Sequence, residues 1–183
     1  MGQKNFTDLK RDRSFIRGES APEFTFKQIE IGDLPPYNQD KEANPGEAVS
    51  RLKSEIAAAH GVFFVTPEYN RSIPGILKNA IDHASRPYGQ NSWAGKPAGV
   101  MGISIGAAGT SLAQQHLRNV LAYLDMPTLG QPEAFLQTKE GFFDSDGSLG
   151  NGSKKFLQGW MDLYVAWIKK HVDQPKPEFN PVR

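Results

Sequence analysis

The sequence predicts an α/β domain built on a parallel sheet with helices on both faces. Three observations carry that prediction. Segments of strand length and helix length alternate along the chain. The two strongest strand candidates are continuous apolar runs, as expected where a sheet is covered on both sides. Each of those runs ends in a turn of small or polar residues that opens directly into an amphipathic helix.

Taken in order, "FTFKQIEI" (Phe24 to Ile31) is a short β-rich segment. "GEAVSRLKSEIAAAH" follows an Asn44-Pro45 start signal and places Val49, Leu52, Ile56 and Ala59 on one helical face. "GVFFVT" (Gly61 to Thr66) is the first buried-strand candidate. From Gly75, Leu77, Ala80, Ile81 and Ala84 recur at helical spacing, with Lys78, Asp82 and Arg86 as i,i+4 partners on the polar side. "KPAGVMGISI" is the second buried strand. "TSLAQQHLRNVLAYLD" lines up Leu112, Leu117, Val120, Leu121 and Leu124, with Thr110 or Ser111 available as N-cap. "TLGQPEAFL" is a weaker strand, placed at a sheet edge by its proline. A last helix opening at Ser153 is expected to bury Phe156, Trp160, Leu163, Tyr164 and Trp167.

At 183 residues the chain suits one domain over residues 1–172. The tail 173–183, "DQPKPEFNPVR", has three prolines and no periodicity, and is expected to be flexible. Lys and Arg (21) nearly balance Asp and Glu (20), so the net charge of +1 gives no electrostatic reason to expect nucleic acid or an acidic membrane as partner. Zero cysteines exclude disulfides, cysteine metal sites and thiol catalysis, and suit a cytoplasmic protein. No apolar stretch approaches the ~20 residues of a membrane span, and the first residues lack a signal peptide's apolar core.

In parallel sheets, ligands bind beyond the carboxyl ends of the strands. Thr66-Pro67-Glu68-Tyr69-Asn70 stands at such an end. Pro67 stiffens the turn, the backbone groups of Glu68, Tyr69 and Asn70 offer donors and acceptors, Tyr69 adds an aromatic surface, and the Asn70 amide can bond a hydroxyl or ring carbonyl. This chemistry suits a flat polar heterocycle. An ordinary strand-to-helix connection uses the same residue types. The next strand end, "SIGAAGT", offers the Ser104 hydroxyl and, at Gly106 and Gly109, close backbone approach. Two such loops on consecutive strands form adjacent walls of one crevice.

The remaining candidates are weaker. His60, His83, His116 and His171 lack metal-ligand spacing and read as surface or interface residues. Asp144 and Asp146 lack the glutamate of a calcium loop and suit a hairpin-like turn. No nucleophile elbow and no Walker-type phosphate loop is present. Neither a metal nor a catalytic acid–base pair is therefore expected.

"TPEYNRSIPGILKNAIDHASRP", with "WAGKPAGVMGISIGAAG" and "HLRNVLAYLDMPTLGQPEAF", resembles the NADPH-dependent FMN reductase family, over roughly residues 30–170. The resemblance implies a flavodoxin-like three-layer sandwich with strand order 2-1-3-4-5. It also implies non-covalent FMN, with NADPH or NADH as co-substrate, and small-molecule electron acceptors: quinones, dyes or metal oxyanions. By position, Pro67, Glu68, Tyr69 and Asn70 would line the isoalloxazine and ribityl region, and Ser104 with Gly106 the opposite wall. A homodimer or homotetramer is implied, with Arg118 and Glu133 suited to a polar interface contact or to a surface ion pair. Hydride chemistry belongs to the flavin, so no catalytic side chain is required. A flavodoxin-like binding or regulatory protein holding little or no flavin, and an oligomeric scaffold, are the alternatives.

The N-terminus departs from this pattern. "MGQKNFTDLKRDRSFIRGES" contains no four-residue apolar run, and Thr7-Asp8 stand where the family's phosphate loop has Gly-Ser. Lys10, Arg11, Arg13 and Ser14 either still serve the FMN phosphate or form a solvated basic run. Asp8 would repel a phosphate, and glycine's close approach is lost. FMN is accordingly expected to bind little more tightly than riboflavin, which lacks the phosphate. A preference matching two charge-assisted hydrogen bonds, at ~1.5–3 kcal/mol each, would show an intact phosphate site. Fluorescence titration with both flavins makes the comparison.

Overall fold

The computed structural model describes residues 24–172. Helix α1 (Glu47–Ala58) precedes strand β1 (Val62–Val65), helix α2 (Gly75–Ser85), strand β2 (Ala98–Ser104), helix α3 (Ser111–Tyr123), strand β3 (Ala134–Gln137) and helix α4 (Asn151–Val172). Both strand pairs are parallel and the order is β1-β2-β3. This is the 3-4-5 part of the 2-1-3-4-5 arrangement. Residues that would supply a first strand and a phosphate loop, Arg11 and Ser14 among them, lie outside the described residues, as does the tail 173–183.

The central strand shows why its sequence is uniformly apolar. Met101 and Ile103 join the core under α4, while Ala98 and Val100 join the core under the other helices. From Ala98 to Ile103 neither face of β2 meets water. Phe63 and Phe64 divide the same way on β1. The Phe63 ring lies 5.1 Å from Trp160 and 5.5 Å from Tyr164, whereas Phe64 lies 5.8 Å from Trp93. Each such buried side chain contributes about 1.5–3 kcal/mol through area removed from water. All three tryptophans keep their indole N–H satisfied, by the carbonyls of Ile81, Pro132 and Pro127 at 3.0 Å.

Several expectations are corrected. Phe24 to Ile31 is not a strand: no ladder partner exists for it among the described residues. Its apolar side chains still divide, with Phe24 and Phe26 against the α4 core and Ile29 and Ile31 against the other. Helix α4 starts at Asn151 and is rotated from the predicted face. It buries Leu157, Trp160, Met161, Tyr164, Val165 and Ile168, leaving Phe156 and Leu163 about half exposed. Large residues at 156 and 163 mimic the stripe, but the sheet takes the neighbouring row. On α3 the core face contains Gln114, fully buried, and excludes Leu112. Lys78 pairs with Asp82 at 2.8 Å as predicted, but Arg86 turns to Glu42 instead, at 2.7 Å. Beyond β3, Asp144 and Asp146 do sit in a hairpin-like turn, closed by a Phe143–Leu149 bridge.

Two glycines in β2 are required by packing. A Cβ on Gly99 would sit 2.8 Å from the rings of Trp160 and Tyr164. On the opposite face, a Cβ on Gly102 would clash with the Thr66 carbonyl oxygen and with Thr110 Oγ1. Gly102→Ala is thus expected to cost ~1–3 kcal/mol by overpacking. Gly159→Ala, in the α4 interior with open space around it, is expected to stabilise by ~0.5–1 kcal/mol through helix propensity. Urea unfolding of the two variants measures both signs.

Candidate functional site

Parallel pairing brings the loops after β1 and β2 to one edge of the sheet. Val65 stands beside Met101, and the Thr66 N–H extends the ladder by donating to the Met101 carbonyl at 3.0 Å. Thr66 is fully buried, its hydroxyl donating to the Pro67 carbonyl at 2.8 Å. From there the chain rises to the surface. Tyr69 and Ser72 bond reciprocally, N–H to carbonyl, at 2.9 and 3.0 Å, closing a two-residue turn over Asn70 and Arg71. Both central residues have positive φ, 51° and 64°, the signature of a type I′ turn. Tyr69 is 61% exposed. Its ring is therefore available as a contact surface.

The second wall is residues 104–110. The Gly106 N–H donates to Ser104 Oγ at 3.1 Å, and the Gly109 N–H to the Gly106 carbonyl at 2.9 Å. Residues 105–108 are exposed. Gly109 has φ 59°, and a Cβ there would sit 2.8 Å from the backbone of Phe135. Only glycine lets this loop lie on β3. Of the two N-cap candidates, Thr110 and Ser111, it is Thr110 that stands at the cap position of α3, but its fully buried hydroxyl accepts from Gln114 Nε2 at 2.8 Å and makes no cap bond.

The cap comes from the other loop. Glu68 Oε2 accepts from the Ala113 N–H, in the first turn of α3, at 3.0 Å. A carboxylate at a helix N-terminus is favoured by the unpaired N–H groups and the helix dipole. One turn further on, His116 Nδ1 bonds Ser72 Oγ at 2.7 Å. The two loops are thus tied through α3 at both ends of the Tyr69–Ser72 turn. Neither tie is readable in the sequence, since the partners are 45 and 44 positions apart. The backbone N–H groups of Glu68, Asn70 and Ala107 donate to no acceptor among the described residues. They leave the edge with unused donors from both walls. A planar ring bearing acceptor atoms along its rim fits such an edge, and the Glu68 charge is already engaged by the helix. Pro67, Glu68, Tyr69, Asn70, Ser104 and Gly106 are therefore brought to one place.

A separate cavity of about 410 Å³ is lined by Pro36, Tyr37, Glu42, Lys53, His83 and Arg86, among others. His83 and Arg86 lie at the far end of α2, whereas the loop after β1 leads into its first turn. An 11-residue helix spans roughly 16 Å. The cavity is a different place from the loop edge. Its charges are mutually engaged: Glu42 accepts from the Tyr37 hydroxyl and from Arg86 Nε, and these bonds hold its carboxyl below the usual range. Lys53 donates to the Gln90 carbonyl at 3.1 Å, and burial lowers its pKa.

His83, His171 and the Arg118–Glu133 pair have local partners. His83 Nε2 lies 2.8 Å from the Pro35 carbonyl, and His171 Nδ1 lies 2.7 Å from the Trp167 carbonyl. No group of three or more His, Asp or Glu suited to a metal occurs among the described residues. Arg118 donates to the Leu129 carbonyl at 2.7 Å and stands 4.0 Å from Glu133, which accepts from Gln115 Nε2 at 2.6 Å. Partial burial lowers the Arg118 pKa.

Comparison with known proteins bears on this edge. The NADPH-dependent FMN reductase family matches residues 15–141, a span that begins just after Ser14. A 2-hydroxy-1,4-benzoquinone reductase from a Burkholderia species is 47% identical over 148 residues, 80% of this chain and 81% of the relative. A quinone reductase from Pseudomonas putida is 48% identical over 153 residues, covering 82% of each. Among solved structures, FerB, a flavoenzyme NAD(P)H:(acceptor) oxidoreductase from Paracoccus denitrificans, superposes with a TM-score of 0.83. It is 43% identical and the match covers 93% of both chains. An NADH:FMN oxidoreductase at 19% identity and TM-score 0.67 shares the fold. The three-layer, flavodoxin-like architecture and the match across most of the sequence place this chain in the NADPH-dependent FMN reductase family.

Proposed function

We propose that this protein is an NAD(P)H-dependent flavin oxidoreductase that holds FMN at the carboxyl edge of its sheet and reduces quinones. The observation that supports the reading is the pair of loops, 66–72 and 104–110, tied across α3 by Glu68 and His116, with backbone N–H donors that find no acceptor among the described residues. The net reaction takes a hydride from NADPH or NADH and one proton from solvent, and converts the quinone to its hydroquinone. Bound FMN supplies the two-electron relay between the two substrates. The chain's own part is placement. Pro67 and the Tyr69–Ser72 bridge fix one wall, Gly109 lets the other wall lie on β3 whereas a Cβ on Gly106 would meet only Ser104 Oγ at 3.5 Å, and the Tyr69 ring offers a stacking surface. Asn70 is the polar side chain of the turn proposed to bond the ligand. Quinones are the acceptors named for the relatives 47% and 48% identical to this chain.

The reading takes the protein to be a cytoplasmic homodimer or homotetramer. The cysteine-free sequence suits the first part. Exposed apolar side chains at Tyr69, Ile76, Ile105 and Leu112, in the two loops and the first turns of α2 and α3, suit the second. No helix among the described residues is long and apolar enough to cross a membrane.

The purified protein is expected to bind FMN with a flavin absorption spectrum and to oxidise NADPH or NADH only when a quinone is present. Absence of both would leave the binding or regulatory reading. Asn70→Ala is expected to weaken FMN by ~1–3 kcal/mol, the effect of an unpaired polar partner, and, because alanine at φ 51° is strained where asparagine is tolerated, to lower stability by roughly 1 kcal/mol as well. Glu68→Ala removes the α3 cap and is expected to lower stability by ~0.5–2 kcal/mol as well as affinity. Paired flavin titrations and urea melts separate the two roles. Equal affinity in Asn70→Ala and the unmodified protein would contradict the assignment of that turn.

A further inference from the structure

The turn over Asn70 and Arg71 breaks a local rule. A type I′ turn favours asparagine followed by glycine, because both central residues take positive φ. Asn70 meets the rule. Arg71, at φ 64°, does not, for a long L-side chain is strained there where glycine would be at ease. A residue held in such a conformation at a binding edge is a reason to ask what its side chain does.

Arg71 is exposed, and its guanidinium makes no hydrogen bond or ion pair among the described residues. The turn that presents it is nevertheless held firmly. Tyr69 and Ser72 close it by backbone bonds, Glu68 anchors its first limb to α3, and His116 anchors Ser72. The opposite wall, residues 104–112, has no charged side chain. Glu68, the other charge of this loop, is taken up at the α3 N-terminus. Among the described residues of these two loops, Arg71 is thus the one charged side chain without a partner, and it stands on a pinned turn.

We propose that Arg71 selects acceptors that are anionic at neutral pH, namely hydroxylated quinones ionised as vinylogous carboxylates. In these the phenolate-like oxygen and the neighbouring carbonyl oxygen lie side by side, the pattern a guanidinium fork binds with two parallel N–H donors. A neutral quinone gains nothing comparable. The inference rests on the quinone-reductase reading above and names the acceptor class of that site. The reaction is the same: one hydride from NAD(P)H and one proton convert the ionised hydroxyquinone to the corresponding ionised hydroxyhydroquinone.

The test uses the full chain loaded with FMN and two acceptors, 2-hydroxy-1,4-benzoquinone, ionised at pH 7.5, and methyl-1,4-benzoquinone, which is neutral. The quantity measured is the ratio of their kcat/KM values, with NADPH and with NADH, in the unmodified protein, Arg71→Lys and Arg71→Gly. Arg71→Gly removes the cation and relieves the turn, so its melting temperature should not fall. Its ratio is expected to drop about ten-fold or more, the loss of a charge-assisted pair. Arg71→Lys should retain part of it. Added salt should lower the ratio in the unmodified protein and not in Arg71→Gly. An unchanged ratio, or equal losses with both acceptors, would overturn the proposal. So would a loss confined to the KM of NADPH against NADH, since the anion would then be the nucleotide phosphate. If the unmodified, FMN-loaded protein reduces neither quinone, the proposed function falls first and takes this inference with it.

Discussion

The meeting of the two loops at the carboxyl edge of the sheet depends on one missing methyl group. Gly102 has no side chain, and two loops close over the space a Cβ would fill. The Thr66 carbonyl belongs to the first loop and the Thr110 hydroxyl to the second. Parallel pairing of β1 and β2 fixes where the loops begin, but the close approach over Gly102 fixes how near they come. Thr66 and Thr110 are both fully buried as a result, and each finds an internal partner for its hydroxyl, as buried polar groups must.

Nearness alone would leave two independent loops. They become one wall-to-wall site because residues of the first loop bond to the helix that follows the second. Glu68 meets the unpaired N–H groups at the α3 N-terminus, where a carboxylate is stabilised in any helix. Ser72 and His116 repeat the tie one turn on. The energy involved is modest, on the order of 1 kcal/mol for each neutral bond and more for the charged one. The consequence is geometric: Tyr69, Asn70 and Arg71 are held outward on a turn that the chain would not otherwise favour.

The sequence makes some of this plain and hides the rest for physical reasons. "GVFFVT" and "AGVMGIS" reveal β1 and β2 because a strand buried on both faces has no polar phase to misread. Their turns reveal the loop edge because parallel sheets place it there. Helix α4 is misjudged because Phe156 and Leu163 are large, whereas burial follows the row that faces the sheet, with Leu157 and Met161 in it. Phe24 to Ile31 has strand composition, but a strand is defined by a partner and none exists for it among the described residues. Gln114 looks like a surface residue of α3, yet it is buried because its amide spans Thr110 and the Ala134 carbonyl. The ties of Glu68 and His116 join residues 45 and 44 positions apart, and no local pattern announces them.

The central claim is that flavin occupies the edge formed by residues 66–72 and 104–110, and not the cavity between α1 and the far end of α2. Hydrogen exchange followed by mass spectrometry, with and without saturating FMN, locates the contact directly. Amides without an acceptor among the described residues, such as those of Glu68, Asn70 and Ala107, exchange readily unless a ligand accepts their hydrogen bonds. The account predicts that peptides covering 66–72 and 104–110 gain protection together. Protection centred instead on Tyr37, Glu42, Lys53 and Arg86, with the two loops unchanged, would contradict it.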